Sequence, residues 1–163
     1  TLEARLKQRD GDVAVRQALA ELHMRAENWA AAGREYRFLI DKGVAGPGVL
    51  NNYALVLHEQ GDAQALAIAE KAHALAPADP TVVDTYGWLL SRAGRREEGL
   101  RYLREARLRD PDNLEIRYHL ARALHEAGRS AEARAEIADV SAMPAASLPA
   151  EVGRFVREIN VAK

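Results

Sequence analysis

Residues 80–113 read PTVVDTYGWLLSRAGRREEGLRYLREARLRDPDN. The apolar spacing predicts two amphipathic helices on either side of a turn at Ala93-Gly94-Arg95. Small residues stand at Gly87, Gly99 and Ala106, and Pro111 closes the stretch. Two helices in a hairpin approach closely only where no large side chain lies between their backbones. Asp79 is placed to cap the first helix, and Pro80 suits its first turn, where a missing N–H costs nothing. One such hairpin cannot bury its own apolar face, so neighbours of the same design are expected.

Copies are found on both sides. A shift of 34 residues takes Gly87 to Ala121, Gly94 to Gly128, Gly99 to Ala133 and Leu103 to Ile137. Backwards, residues 47–79 carry Ala54, Gly61, Ala65, Ala72 and Pro77 in the matching places, in a unit one residue shorter. Residues 13–46 carry Ala20, Ala32 and Leu39, with Trp29 and Tyr36 in the large apolar slots. Glu27 stands there where the other units have the turn glycine. The predicted helices fall near 2–9, 14–26, 28–41, 48–59, 63–75, 81–93, 96–109, 114–127 and 130–140, with a last one from about Pro149.

The period, the small residues and the aligned prolines resemble the tetratricopeptide repeat (TPR) family over about Val13 to Val140. The resemblance implies an all-α fold, a right-handed TPR superhelix of antiparallel helix hairpins with a C-terminal capping helix. Its expected parts are the end of an earlier helix at 1–12, repeats at 13–46, 47–79, 80–113 and 114–146, and a cap at 147–163. Thr1 at the start suits a fragment that begins inside a repeat array. In the cap, Val152, Phe155, Val156 and Ile159 form an apolar stripe at helical spacing. The stripe either covers the last repeat or docks a partner. Trp29, Tyr36, Phe38, Tyr53 and Tyr86 are expected in the core.

The chain has 163 residues, a net charge of −1 with both signs interspersed, and no cysteine. That balance argues against a nucleic-acid partner, which calls for a concentrated basic face. It gives no sign of an anionic membrane partner, so a membrane link is expected only through the parent protein. Cysteine chemistry is excluded. His58-Glu59 and His125-Glu126 lack the second histidine that a zinc helix carries four residues after the first. His119 and His125, six apart, point to different helix faces. GPG at 46–48 lacks the lysine of a phosphate loop. No catalytic constellation, metal site or cofactor is therefore expected, and the chain is not read as an enzyme.

What the family resemblance implies is a binding surface. In TPR arrays the first helices line a concave groove that holds a peptide or helix of another protein. The matching places are Gln17, Glu21, Met24 and Arg25; Asn51, Leu55, His58 and Glu59; Asp84, Trp88, Ser91 and Arg92; and Tyr118, Arg122, His125 and Glu126. Glu21 and Asp84 would repel a terminal carboxylate, so a carboxylate-gripping mode is not expected. Trp88, Tyr118, Leu55 and Arg122 would form an amphipathic patch of the kind that interface hot spots favour. Trp88 either lines the groove or packs against a neighbouring repeat. Residues 50–124 also resemble the TPR lipoproteins of bacterial exosortase (PEP-CTERM) exopolysaccharide systems, through NNYA, GDAQALAIAEKA, DTYGWLL and IRYHLA. That resemblance implies a cell-envelope scaffold, periplasmic or outer-membrane-anchored in its parent; without it a cytoplasmic location stands equally. A repeat region serving an enzyme domain elsewhere in the parent, and a weakly self-associating module, remain as alternatives.

Overall fold

The computed structural model describes residues 13–141 and 148–161. The helix expected near 2–9 and the segment 1–12 lie outside the described residues. Ten helices occur among those described: α1 (Val13–Arg25), α2 (Trp29–Asp41), α3 (Pro47–Glu59), α4 (Ala65–Leu75), α5 (Pro80–Arg92), α6 (Arg96–Arg109), α7 (Leu114–Glu126), α8 (Ser130–Glu136), α9 (Ala138–Ser141) and α10 (Ala150–Val161). The chain divides into two compact units, residues 1–78 and 79–163.

The first unit holds the hairpins α1–α2 and α3–α4. Asn28 caps α2, its side chain accepting from the Ala31 N–H. Gly46 precedes α3 in an extended conformation and Pro47 fills its first turn. Alanines lie wherever the helices must come close: Ala20, Ala32, Ala54 and Ala72 are fully buried. Tyr36 is fully buried as well, and its hydroxyl donates to the Met24 sulfur at 3.2 Å. Tyr53 is buried as expected, but Trp29 and Phe38 are only half-buried. Phe38 lies at the surface with the Arg16 guanidinium 3.8 Å from its ring centre, and Arg16 is held there by Glu35 at 2.7 Å.

Each first helix ends in the same way. Gly61, Gly94 and Gly128 take left-handed φ values of 71°, 84° and 79°. Their N–H groups, and those of the next residues, turn back to carbonyls of the last helical turn. The same pair of bonds forms at Glu27, φ 54°, where its N–H donates to the Met24 carbonyl and that of Asn28 to the His23 carbonyl. Glu27 is the one non-glycine residue with positive φ among the described residues. A side chain there costs roughly 1–2 kcal/mol, against a smaller loss from glycine's extra freedom when unfolded. Glu27→Gly is therefore expected to raise the stability of the first unit by about 1 kcal/mol, read as a higher urea midpoint by circular dichroism.

The second unit holds the hairpin α5–α6 and then α7, followed by the shorter α8, α9 and α10. Asp79 caps α5 by accepting from the Thr81 and Val82 N–H groups, and Asn113 caps α7 by accepting from Glu115 and Ile116. Where α5 crosses α6 the backbones nearly touch. A Cβ on Gly99 would stand 2.6 Å from the Gly87 carbonyl oxygen and 2.7 Å from the Ser91 nitrogen. A Cβ on Gly87 would stand 2.9 Å from the Leu103 nitrogen. The core runs from Leu100 and Leu103 through Leu120, Leu124, Ile137 and Val140 to Val152, Phe155 and Ile159 of α10. In the apolar stripe of the last helix, Val152, Phe155 and Ile159 are thus buried within their own unit, and Val156 is half-buried.

A single helix over 130–140 is not what forms. The ladder breaks at Ile137, between α8 and α9. At the break a residue of another helix satisfies the freed backbone: the Arg117 guanidinium takes the Glu136 carbonyl, with Nη2 at 2.8 Å and Nε at 3.3 Å, and also reaches Asp139 at 3.2 Å. The close crossing in the first hairpin of this unit carries its own test. Gly99→Ala places a methyl against backbone, which cannot rotate away, and is expected to lower unfolding stability by about 1–3 kcal/mol with the helix content of the folded state retained.

Candidate functional site

Asp84 and Trp88 lie one turn apart on α5, and His119 comes from α7. The His119 Nδ1–H donates to Asp84 Oδ2 at 2.7 Å, with both residues buried, 8 % and 3 % exposed. The Trp88 ring lies flat on the imidazole, ring centres 4.6 Å apart and planes 12° apart. Tyr118 leans on the same imidazole at 5.6 Å. Burial pushes the His119 pKa down, but the Asp84 charge and hydrogen bond, with Glu115 and Glu151 further off, outweigh it and leave His119 above its ordinary value of 6.5. Trp88 is therefore half-buried, seated on an ion pair and not loose in solvent.

Around this stack runs a chain of alternating charge. Arg92 reaches both oxygens of Glu126 at 3.0 Å. Glu126 accepts from Arg122 Nε at 2.9 Å, and Arg122 Nη1 donates to Glu158 of α10 at 2.8 Å. Each guanidinium also lies over a ring: Arg92 over Trp88 and Arg122 over Phe155, both at 5.3 Å. Phe155 further meets Tyr118 and His125 edge-on, at 5.7 and 5.9 Å.

This geometry sorts the expected groove residues. Trp88 and Arg92 keep a free side. Asp84 is buried and faces His119, so it repels nothing from outside. Tyr118, Arg122 and His125 are half-buried, and all three meet Phe155 or Glu158 of α10. In the first unit Asn51 is buried, its Nδ2 donating to Asn52 at 3.4 Å, while Leu55 and His58 are half-buried. From the sequence, His119 is weighed only as a metal ligand and is not placed at this face. Its distance from Asp84 could have pointed to it, because 35 residues is one repeat plus one. Among the described residues no group of three or more His, Asp or Glu side chains is placed to hold a metal ion, and no helix is long and apolar enough to cross a membrane.

Residues 90–147 match the family model for the tetratricopeptide repeat. Over 119 residues, 71% of it, the chain is 32% identical to TPR repeat-containing protein PA4667 of Pseudomonas aeruginosa, and it spans 20% of that protein's length. Among solved structures it is similar to TTC0263, a thermophilic TPR protein of Thermus thermophilus. The TM-score is 0.79 at 20% identity, covering 98% of this chain and 87% of that one. It is similar to a TPR protein of Parabacteroides merdae, with TM-score 0.81, 16% identity, and 99% and 62% coverage. It is also similar to YrrB, a TPR protein with an unusual peptide-binding site, with TM-score 0.67, 13% identity, and 96% and 80% coverage. The fold is all-α and of TPR type, the architecture of repeat scaffolds that bind other proteins.

The buried pair makes stability depend on pH. Folding raises the pKa of His119 above 6.5, so the stabilisation is complete below about 6.5 and is lost as pH rises through the folded value. The urea midpoint of the second unit is expected to fall on going from pH 6.5 upward. In Asp84→Asn that fall should be absent or reversed, since burial alone disfavours the charged imidazole.

Proposed function

We propose that the chain is a non-catalytic scaffold whose first-helix faces hold a segment of another protein, and that in the second unit the contact centres on Trp88 and Arg92. One observation carries this reading: Trp88 is a large ring, half-open to solvent, and fixed in place by stacking on His119 and by Arg92. A rigid aromatic beside an arginine gives contact area at little cost in side-chain entropy. Burial of Asp84 against His119 takes its charge out of the face, which leaves the alternating chain of Arg92, Glu126, Arg122 and Glu158 around the ring. Such a rim suits a peptide or helix of mixed charge better than a polyanion. The peptide-binding site described for YrrB, a protein of the same fold, supports a peptide ligand.

A place in a larger bacterial envelope or exopolysaccharide assembly rests on the sequence resemblance of residues 50–124 alone. Service to an enzyme domain elsewhere in a parent chain, and weak self-association, are the competing readings. Capture from a bacterial envelope extract separates them. Trp88→Ala is expected to reduce recovery of a specific partner at least tenfold, with helicity and His119 titration checked in the same variant. Recovery equal to wild type would remove Trp88 from the contact. Loss of self-association without any captured partner would favour the self-assembling module.

A further inference from the structure

In the first unit, α2, α3 and the residue after α3 line an open cavity of about 240 Å³, formed by Ala30, Gly33, Arg34, Arg37, Tyr53 and Gln60. We propose that this cavity is an oxyanion site that takes a phosphoryl group, either free or on a partner's side chain. Its lining holds two guanidiniums, a phenol and a carboxamide, and no acid. Arg34 and Arg37 lie nearly one turn apart on α2, so both reach the same opening. Neither has a carboxylate within ion-pair distance among the described residues, although Asp41 and Asp62 act on Arg37 from further away. Arginines such as Arg16, Arg92, Arg107, Arg117 and Arg122 are matched with acids, and what sets Arg34 and Arg37 apart is that they share one opening.

Two of the donors already hold a hydrogen bond to the protein. Arg37 Nη2 donates to the Tyr53 hydroxyl at 3.3 Å, which turns the guanidinium toward the opening and leaves the phenol proton to point elsewhere. Gln60 Nε2 donates to the Trp29 carbonyl at 2.9 Å and keeps a second N–H. Gly33 makes room for this amide: a Cβ there would lie 3.3 Å from Gln60 Nε2. Two charges of one sign and several N–H and O–H donors around a small cavity match a dianion with three outward oxygens. Arginine's planar fork suits phosphate in particular.

The test uses the whole chain and side-chain resonances of Arg37 Nε–Hε and Gln60 Nε2–H₂. Inorganic phosphate is added, with chloride at equal ionic strength as control. A phosphoserine peptide is compared with its unphosphorylated form. Saturable shifts of both resonances with phosphate, absent with chloride, are expected. They should weaken about tenfold or more in Arg34→Gln and vanish in the Arg34→Gln, Arg37→Gln double variant, whose circular dichroism should match wild type. Tighter saturation by the phosphoserine peptide would assign the group to a partner protein, and equal saturation would assign it to a free phosphate; either result supports the site. Shifts no larger than with chloride, or shifts retained in the folded double variant, would overturn it. None of these measurements involves Trp88, so their outcome is separate from that of the proposed partner face.

Discussion

The crossing of Gly87 and Gly99 is the contact on which the second unit depends. Here two helices meet backbone to backbone, with no room for even one methyl group. That approach sets the angle and distance of α5 against α6. It thereby sets where Leu100 and Leu103 stand to receive Leu120, Leu124 and Ile137. The next hairpin uses Ala121 and Ala133, both fully buried, where the first uses glycine. One methyl more at each place implies a slightly wider spacing, and with it a crossing less sensitive to substitution. Small residues matter here for what they let approach, and large ones then fill what is left.

Polar contacts do a different task. The Asp84–His119 pair is buried, and a buried pair repays its desolvation only with good geometry. Its value is orientation: it fixes the imidazole that Trp88 stacks on. Asp84 Oδ1 has no partner in the protein, which makes the pair a poor source of stability and strengthens the case that its use lies in placing the ring. The chain from Arg92 to Glu158 is more exposed, with Arg92 41% and Glu158 49% open at their side chains. Each such link is worth about 0–1 kcal/mol at most, so together they steer helices into register and do not hold them there.

Much of this was legible in the sequence, for a physical reason. Helix starts are written locally: Asp79 and Asn113 cap where a side-chain oxygen can reach two N–H groups. The left-handed turns at Gly61, Gly94 and Gly128 are local as well, and Glu27 stood out because it broke that rule. What the sequence did not show depends on residues brought together by the fold. At the break before Ile137 the freed carbonyl is taken by Arg117, 19 positions before it. The burial of Asp84 needs His119, 35 positions on. Spacing places a residue on the first-helix side of a repeat, but only the neighbouring helix decides whether it stays open there. Trp29 and Phe38 show the converse. Aromatic slots at the right period can end half-open, and at Phe38 it is Arg16 that covers the ring.

The last helix decides how much of the second unit remains open to a partner. Phe155 and Glu158 of α10 engage Tyr118, Arg122 and His125, so the first-helix side of α7 is already occupied by this unit's own chain. The same stripe that closes the core at Val152, Phe155 and Ile159 does this, so sealing the core and covering α7 are one act. Of the two half-buried aromatics on these first helices, Tyr118 meets Phe155 of α10, whereas Trp88 on α5 stacks on His119. The two faces of α7 therefore have unequal roles: one packs under α10, and the other, through His119, supports the Trp88 ring of α5. On the proposed reading, recognition in this unit rests less on how many repeats line a groove than on where the last helix stops covering them.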